Sequence, residues 1–209
     1  MDEAHYPVEF SVDYPDRSLN RLTTFFRIFT AIPICIVLAG VSGGTFEWSS
    51  HYGRAAAAGA GGLLFFAPLV MILFRQKYPR WWFDWNLELQ RFGNRVSAYL
   101  ALMDDHYPST DDHQSVHLDY PFPDVPRELN RWLPLVKWFL AIPHYIVLFF
   151  LYIAAVVVVI IAWFAILFTG RYPRWAFTFT EGVLRWHNRV LAYALVLVTD
   201  RYPPFGLAP

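Results

Sequence analysis

Apolar positions along this chain are gathered into long blocks with few interruptions. The first covers about residues 22–41, the second about 55–74, and a third runs from Trp132 to Phe168. Within the third, Ile146 to Phe168 carries no charged side chain. Such a run is long enough to cross a hydrocarbon core about 30 Å thick. The first two blocks are separated by Ser42-Gly43-Gly44-Thr45 and His51-Tyr52-Gly53, which have turn composition. They predict a membrane hairpin over about 22–74. As one helix the third block would be roughly 50 Å long at about 1.5 Å per residue, too long for one upright crossing. The favoured reading is therefore a second hairpin, Trp132–Phe149 and Leu151–Phe168, turning near Phe149–Tyr152. No Gly or Pro marks that turn, and one bent helix has the same composition. Pro33 and Pro143 sit inside the first helix of each hairpin and predict a kink.

Outside these blocks the pattern changes. Val8–Val12 and Val116–Asp119 alternate apolar and polar residues, as half-buried strands do. Their expected partners are the runs 96–103 and 190–198, which read as strands in a small cytoplasmic sheet or as continued helix. Segments 78–108 and 172–205 are too charged to span and too aromatic to float free, so each predicts an interfacial amphipathic helix. Pro79 and Pro173 suit a first helical turn. Tyr78, Arg80 and Trp81, with Tyr172, Arg174 and Trp175, are the candidate anchors at the headgroup level.

The chain repeats itself. Arg17, Asn20, Arg21, Arg27 and Ala31-Ile32-Pro33 recur, without a gap, as Arg127, Asn130, Arg131, Lys137 and Ala141-Ile142-Pro143. Tyr78-Pro79-Arg80-Trp81 returns as Tyr172-Pro173-Arg174-Trp175, and Asn94-Arg95-Val96 as Asn188-Arg189-Val190. Two tandem repeats, 1–110 and 111–209, follow. The fold class expected is an α-helical integral membrane protein with four transmembrane helices in two hairpins, interfacial helices and a small β-sheet.

Charge refines this picture by its distribution. Lys plus Arg and Asp plus Glu are 17 each, so nothing points to nucleic acid. With four crossings, every Lys and Arg except Arg54 falls on one face, which the positive-inside rule makes cytoplasmic. Both termini are then cytoplasmic, in a multi-pass protein of the inner membrane. The acidic, polar start Met1 to Pro7 lacks the pattern of a cleaved signal peptide. The single cysteine, Cys35, excludes an intramolecular disulfide and a multi-cysteine zinc site.

Arg127 to His144, Trp163 to Arg174 and Thr199 to Phe205 resemble the bacterial membrane-protein family catalogued as domain of unknown function 4389. The resemblance covers both copies and is closest in the second. The first copy departs from it with Arg75-Gln76-Lys77 before Tyr78-Pro79 and with a longer loop. It implies a membrane location and no particular activity.

Candidate chemistry is sparse. Asp104, Asp105, His106, Asp111, Asp112, His113 and His117 could in principle hold a metal, but the second copy replaces the group with Thr199-Asp200-Arg201, and a solvated acidic linker is the favoured reading. No phosphate loop, nucleophile elbow or His-Glu-x-x-His pair occurs. No cofactor and no catalytic residue is expected. The main polar feature is the ladder Arg17, Asn20, Arg21, Arg27 and Arg127, Asn130, Arg131, Lys137, read as anionic-lipid contacts or as plain topological anchors. The function expected is a non-enzymatic, lipid-contacting structural or accessory subunit. Its partners would be membrane lipids, with a second copy or an unidentified membrane protein beside them. An oligomeric transporter or channel component is the alternative; less favoured is a lipid-acting enzyme using His144, Glu181 and His187.

Overall fold

The structure is a computed structural model that describes residues 6–42, 60–110 and 112–209, with the side chains of 60–66 excepted. The loop read as Gly43 to Arg54 and Asp111 of the acidic linker lie outside the described residues.

Strand β1 (Glu9–Val12) pairs antiparallel with β2 (Val116–Asp119), Phe10 opposite Leu118 and Val12 opposite Val116. Both strands turn Glu9, Ser11, His117 and Asp119 to solvent and bury the alternate side chains. The period-two pattern thus makes the two strands expected of it. Their partners differ from expectation, because 96–103 and 190–198 are not strands. Residues 96–100 finish helix α4 (Arg80–Leu100), while α8 (Arg174–Leu191) continues into a π-helical turn over Ala192–Val196. Both runs pack apolar side chains on more than one side, which a helix buried between layers requires and a strand with one wet face does not.

The apolar blocks form α1 (Arg21–Phe25), α2 (Arg27–Ser42), α3 (Ala60–Arg75), α6 (Pro134–Leu140) and α7 (Ile142–Thr169); a short α5 (Val125–Glu128) precedes α6. Helix α7 runs unbroken through Phe149–Tyr152, so the second hairpin is absent. The physical reason lies in the residues: nothing between Tyr145 and Thr169 can break a helix, and a tight turn there would strand backbone polar groups in an apolar setting. At about 1.5 Å per residue α7 is roughly 42 Å long. It ends at Gly170, whose φ of 75° favours a residue without Cβ, and whose N–H closes on Ile166. The break predicted at Pro143 falls at Ala141, between α6 and α7; Pro33 is carried inside α2.

The described residues of the first apolar pair form α2 and α3. Helix α2 lies along α4, whereas α3 packs on α6 and the π-helical turn. The second hairpin is thus replaced by one helix, while the segment joining the two helices of the first lies outside the described residues. Among the described residues, α7 alone is a helix long and apolar enough to cross a membrane.

The elements stack in layers. Strand β1 lies on α8 and β2 on α4; on the far side of those two helices, α7 covers α8 and α2 covers α4. The amphipathic helices expected at an exposed interface are therefore the middle layer. Ile34, Phe92 and Val96 join α2 to α4, and Leu148, Trp186 and Val190 join α7 to α8. At the centre α4 meets α8 through Asn94 and Asn188. Each side-chain amide donates to the other's carbonyl oxygen at 2.8 Å. Each also donates back to its own helix, at Gln90 and Leu184. Both are buried, so this reciprocal pair satisfies groups that would otherwise be costly.

Candidate lipid-facing site

The basic ladder divides into residues that turn inward and residues that remain outside. Asn20 caps α1, its side-chain oxygen accepting from the N–H of Leu22 and Thr23 at 2.9 and 3.3 Å. Asn130 does the same for Trp132 at 2.9 Å. The N–H of Asn20 donates to Asp105 at 3.0 Å and that of Asn130 to Asp200 at 2.6 Å. Capping residues with free side-chain oxygens suit these helix entrances, which explains the recurring asparagines.

Arg27 is buried, donates to the Asp104 carbonyl at 2.9 Å and lies 3.9 Å over the Tyr99 ring. Lys137 is fully buried, donates to the Thr199 carbonyl at 2.8 Å and pairs with Asp200 at 2.6 Å. These two cations hold the loops after α4 and after the π-helical turn, and neither reaches a headgroup. Arg17 pairs with Asp104 and Asp105. Arg21 donates to the Phe168 carbonyl at 3.2 Å, at the end of α7 where carbonyls lack helical partners. Arg127 is exposed beside Asp124, and Arg131 is exposed at the start of the α6 segment.

The candidate anchors divide in the same way. Tyr78 is buried and donates to the Val196 carbonyl at 2.9 Å, and Tyr172 is buried in the core. Burial pushes the hydroxyl of Tyr172 up to about 12, against a partial offset from Thr180. Trp81 and Trp175 remain exposed, as do Arg80 over the Phe122 ring and Arg174 over the Tyr14 ring. The tyrosines therefore fix the turns into α4 and α8, and the tryptophans and arginines beside them face outward.

The residues considered for catalysis are occupied separately. His144 accepts from the Trp186 indole at 2.9 Å and stacks on Phe205. His187 shares a hydrogen bond with the Tyr152 hydroxyl at 2.6 Å, and Glu181 pairs with Arg185 at 2.7 Å while accepting from the N–H of Val12. Asp104, Asp105 and His106 come together, with Arg17 already supplying a positive charge to both carboxylates. His117 instead pairs with Asp13.

What remains is a surface. Along α7, Ile146, Phe149, Ile153, Val156, Ile160 and Phe164 form an exposed stripe, with the opposite face turned to the protein. Leu22, Phe25, Phe29, Ile32 and Ile36 continue an apolar face on α1 and α2. Exposed Arg131, Trp132 and Trp138 precede α7 in the chain, and exposed Arg171 follows it. An exposed apolar face bordered by polar residues is the kind of surface that meets a partner or a membrane. An apolar helix with one free face, bordered by tryptophan and arginine, can remove that face from water by entering hydrocarbon. The hydropathy blocks exposed this surface in outline; the inward turn of Arg27, Lys137, Tyr78 and Tyr172 left no local mark in the sequence.

Residues 132–206 match the family model described as Domain of unknown function (DUF4389). That match covers α6, α7, α8 and the π-helical turn, the part of the chain carrying most of the apolar stripe. No curated protein and no solved structure matches the chain.

Proposed function

We propose that this protein is a non-enzymatic, lipid-contacting structural or accessory protein of the cytoplasmic membrane. The observation that carries the reading is α7, whose most apolar stretch has a mean hydropathy of 3.1 with only 11% of it buried in the protein. Side chains of that kind need a hydrocarbon partner. The reading also takes the two halves as copies of one unit, because the Asn20 N–H meets Asp105 as that of Asn130 meets Asp200, and Arg27 reaches the Asp104 carbonyl as Lys137 reaches that of Thr199. The polar body, with nearly all the lysines and arginines and both termini, is assigned to the cytoplasmic side. Anionic headgroups are then met by the outward cations Arg21, Arg127 and Arg131, each contributing on the order of 1 kcal/mol near a charged leaflet. Arg27 and Lys137 are not part of that contact. Lipid analysis of the purified protein tests the proposal. Anionic phospholipid should copurify and should fall in an Arg21→Gln, Arg131→Gln double variant that still folds, at matched ionic strength. A soluble ligand bound at unit stoichiometry with no retained lipid would replace this reading by another.

A further inference from the structure

We infer that α7 lies in the plane of the membrane, embedded in one leaflet by its exposed stripe, and does not cross the bilayer. The inference rests on the lipid-contacting reading above and adds the geometry of the contact. Length and hydropathy suit a crossing helix equally well; the layers decide between the two.

Strand β1 and the chain after it follow the α7–α8 pair along its length, on the side of α8 away from α7. The Phe10 carbonyl accepts from Arg185 at 2.9 Å, and the N–H of Val12 donates to Glu181 at 3.2 Å. Tyr14 then stacks edge-on against Phe177 and donates to the Tyr172 carbonyl at 2.6 Å. The N–H of Leu19 reaches the Gly170 carbonyl at 2.9 Å. Across α8, Trp186 and His187 touch His144 and Tyr152 of α7. Exposed Glu9, Ser11, Asp13 and Asp16 therefore accompany α7 from near its start to its end.

If α7 stood upright, this exposed polar layer, with Asp13 beside His117 and Asp16 beside Arg174, would be carried through the hydrocarbon, an expensive arrangement. If it lies flat, the sheet layer faces water, α4 and α8 lie between, and the stripe of α7 faces acyl chains. Both ends of α7 are then tied to the same polar body, Lys137 with Asp200 before it and Arg21 with the Phe168 carbonyl at its close. Interfacial helices sink about 5–10 Å into the headgroup boundary, and their other face is ordinarily polar. Here that face packs on α8 and α1, which explains why it too is apolar. Trp132 and Arg131 at one end, and Arg171 at the other, meet the headgroup charges that border such a site.

Nitroxide labels placed singly at Ile146→Cys, Ile153→Cys, Ile160→Cys and Phe168→Cys, in a Cys35→Ser background, report depth through their contact with oxygen and with a water-soluble relaxant. The protein is reconstituted in vesicles of mixed zwitterionic and anionic phospholipid. Ser11→Cys and Asp13→Cys labels mark the water-facing layer. Equal, shallow burial of all four α7 labels is the expected result, with the two layer markers in water. Labels at 153 and 160 deeper than those at 146 and 168 by on the order of 10 Å would mean a crossing helix and would overturn the inference, leaving lipid contact intact. Four α7 labels as water-accessible as the layer markers would overturn the lipid-contacting reading and this inference together.

Discussion

In the first half of the chain, α2 rests on α4 and a separate helix, α3, continues to the π-helical turn and α6; in the second half, one helix does both tasks. The opening of α7 rests on α8 through Leu148, Trp186 and Val190, as α2 rests on α4 through Ile34, Phe92 and Val96. Its later part packs on α1, with the Trp163 indole donating to the Thr24 carbonyl at 3.1 Å. The same pattern of contacts is thus reached by two described helices in one half and by one helix in the other. A helix position is set by the face it buries. A second difference lies after the central asparagines. From Tyr193 to Asp200 is one residue longer than from Tyr99 to Asp105. The π-helical turn over Ala192–Val196 absorbs the extra residue, and both chains then turn through a left-handed leucine, Leu102 and Leu197.

The largest effect should separate the two inward cations. Lys137→Met leaves Asp200 without its buried cation and should cost about 3–5 kcal/mol. Arg27→Met gives up a carbonyl contact and the face of Tyr99 and should cost less, about 1–3 kcal/mol. Unfolding of both variants in detergent micelles measures the gap, and equal losses would mean that Asp200 does not distinguish the halves. Next in size is the asparagine pair. Asn94→Ala or Asn188→Ala strands one buried amide and should cost about 1–3 kcal/mol, while the double variant should cost less than the two singles combined. Additive losses would dissolve the central contact into two independent ones.

Acid sharpens the comparison at the helix entrances. Burial acts to raise the carboxyl of Asp105, but the Arg17 guanidinium and the Asn20 N–H outweigh it and hold the group below its ordinary value. The folded value lies below the unfolded one of about 3.9, so the stabilisation is fully present above that pH and is lost as pH falls through the folded value. Urea midpoints of wild type and Asp105→Asn should differ at pH 7 and converge below about pH 4. The smallest effect is expected from replacing residues 43–59 by a single isoleucine, which gives α2 and α3 the covalent continuity of α7. That chain should fold with a thermal midpoint near wild type, and loss of folding would show that the two halves do not share one plan.

Much of this plan was legible beforehand. The strands at Val8–Val12 and Val116–Asp119, the helix starts after Pro79 and Pro173, and the recurring asparagines are all local signals, and all occur in the structure. The continuity of α7 through Phe149–Tyr152 was not legible, because block length reports how much hydrocarbon a segment matches and nothing about which neighbour it lies on. Arg27 and Lys137 resemble snorkelling anchors in sequence, and only their carbonyl partners, 77 and 62 residues away, reveal an inward role. The asparagine pair carried a signal that spacing alone could not interpret: an identical triplet in both halves, whose asparagines meet each other.

The central claim is that one apolar layer meets lipid from one side of the membrane. Single cysteines at Arg131 and Arg171, before α6 and just after α7, test it most directly in sealed vesicles with a membrane-impermeant thiol reagent, again with Cys35→Ser. The account predicts that both react from the same side, at similar rates. Reaction of one from outside and of the other only after the vesicles are opened would contradict it.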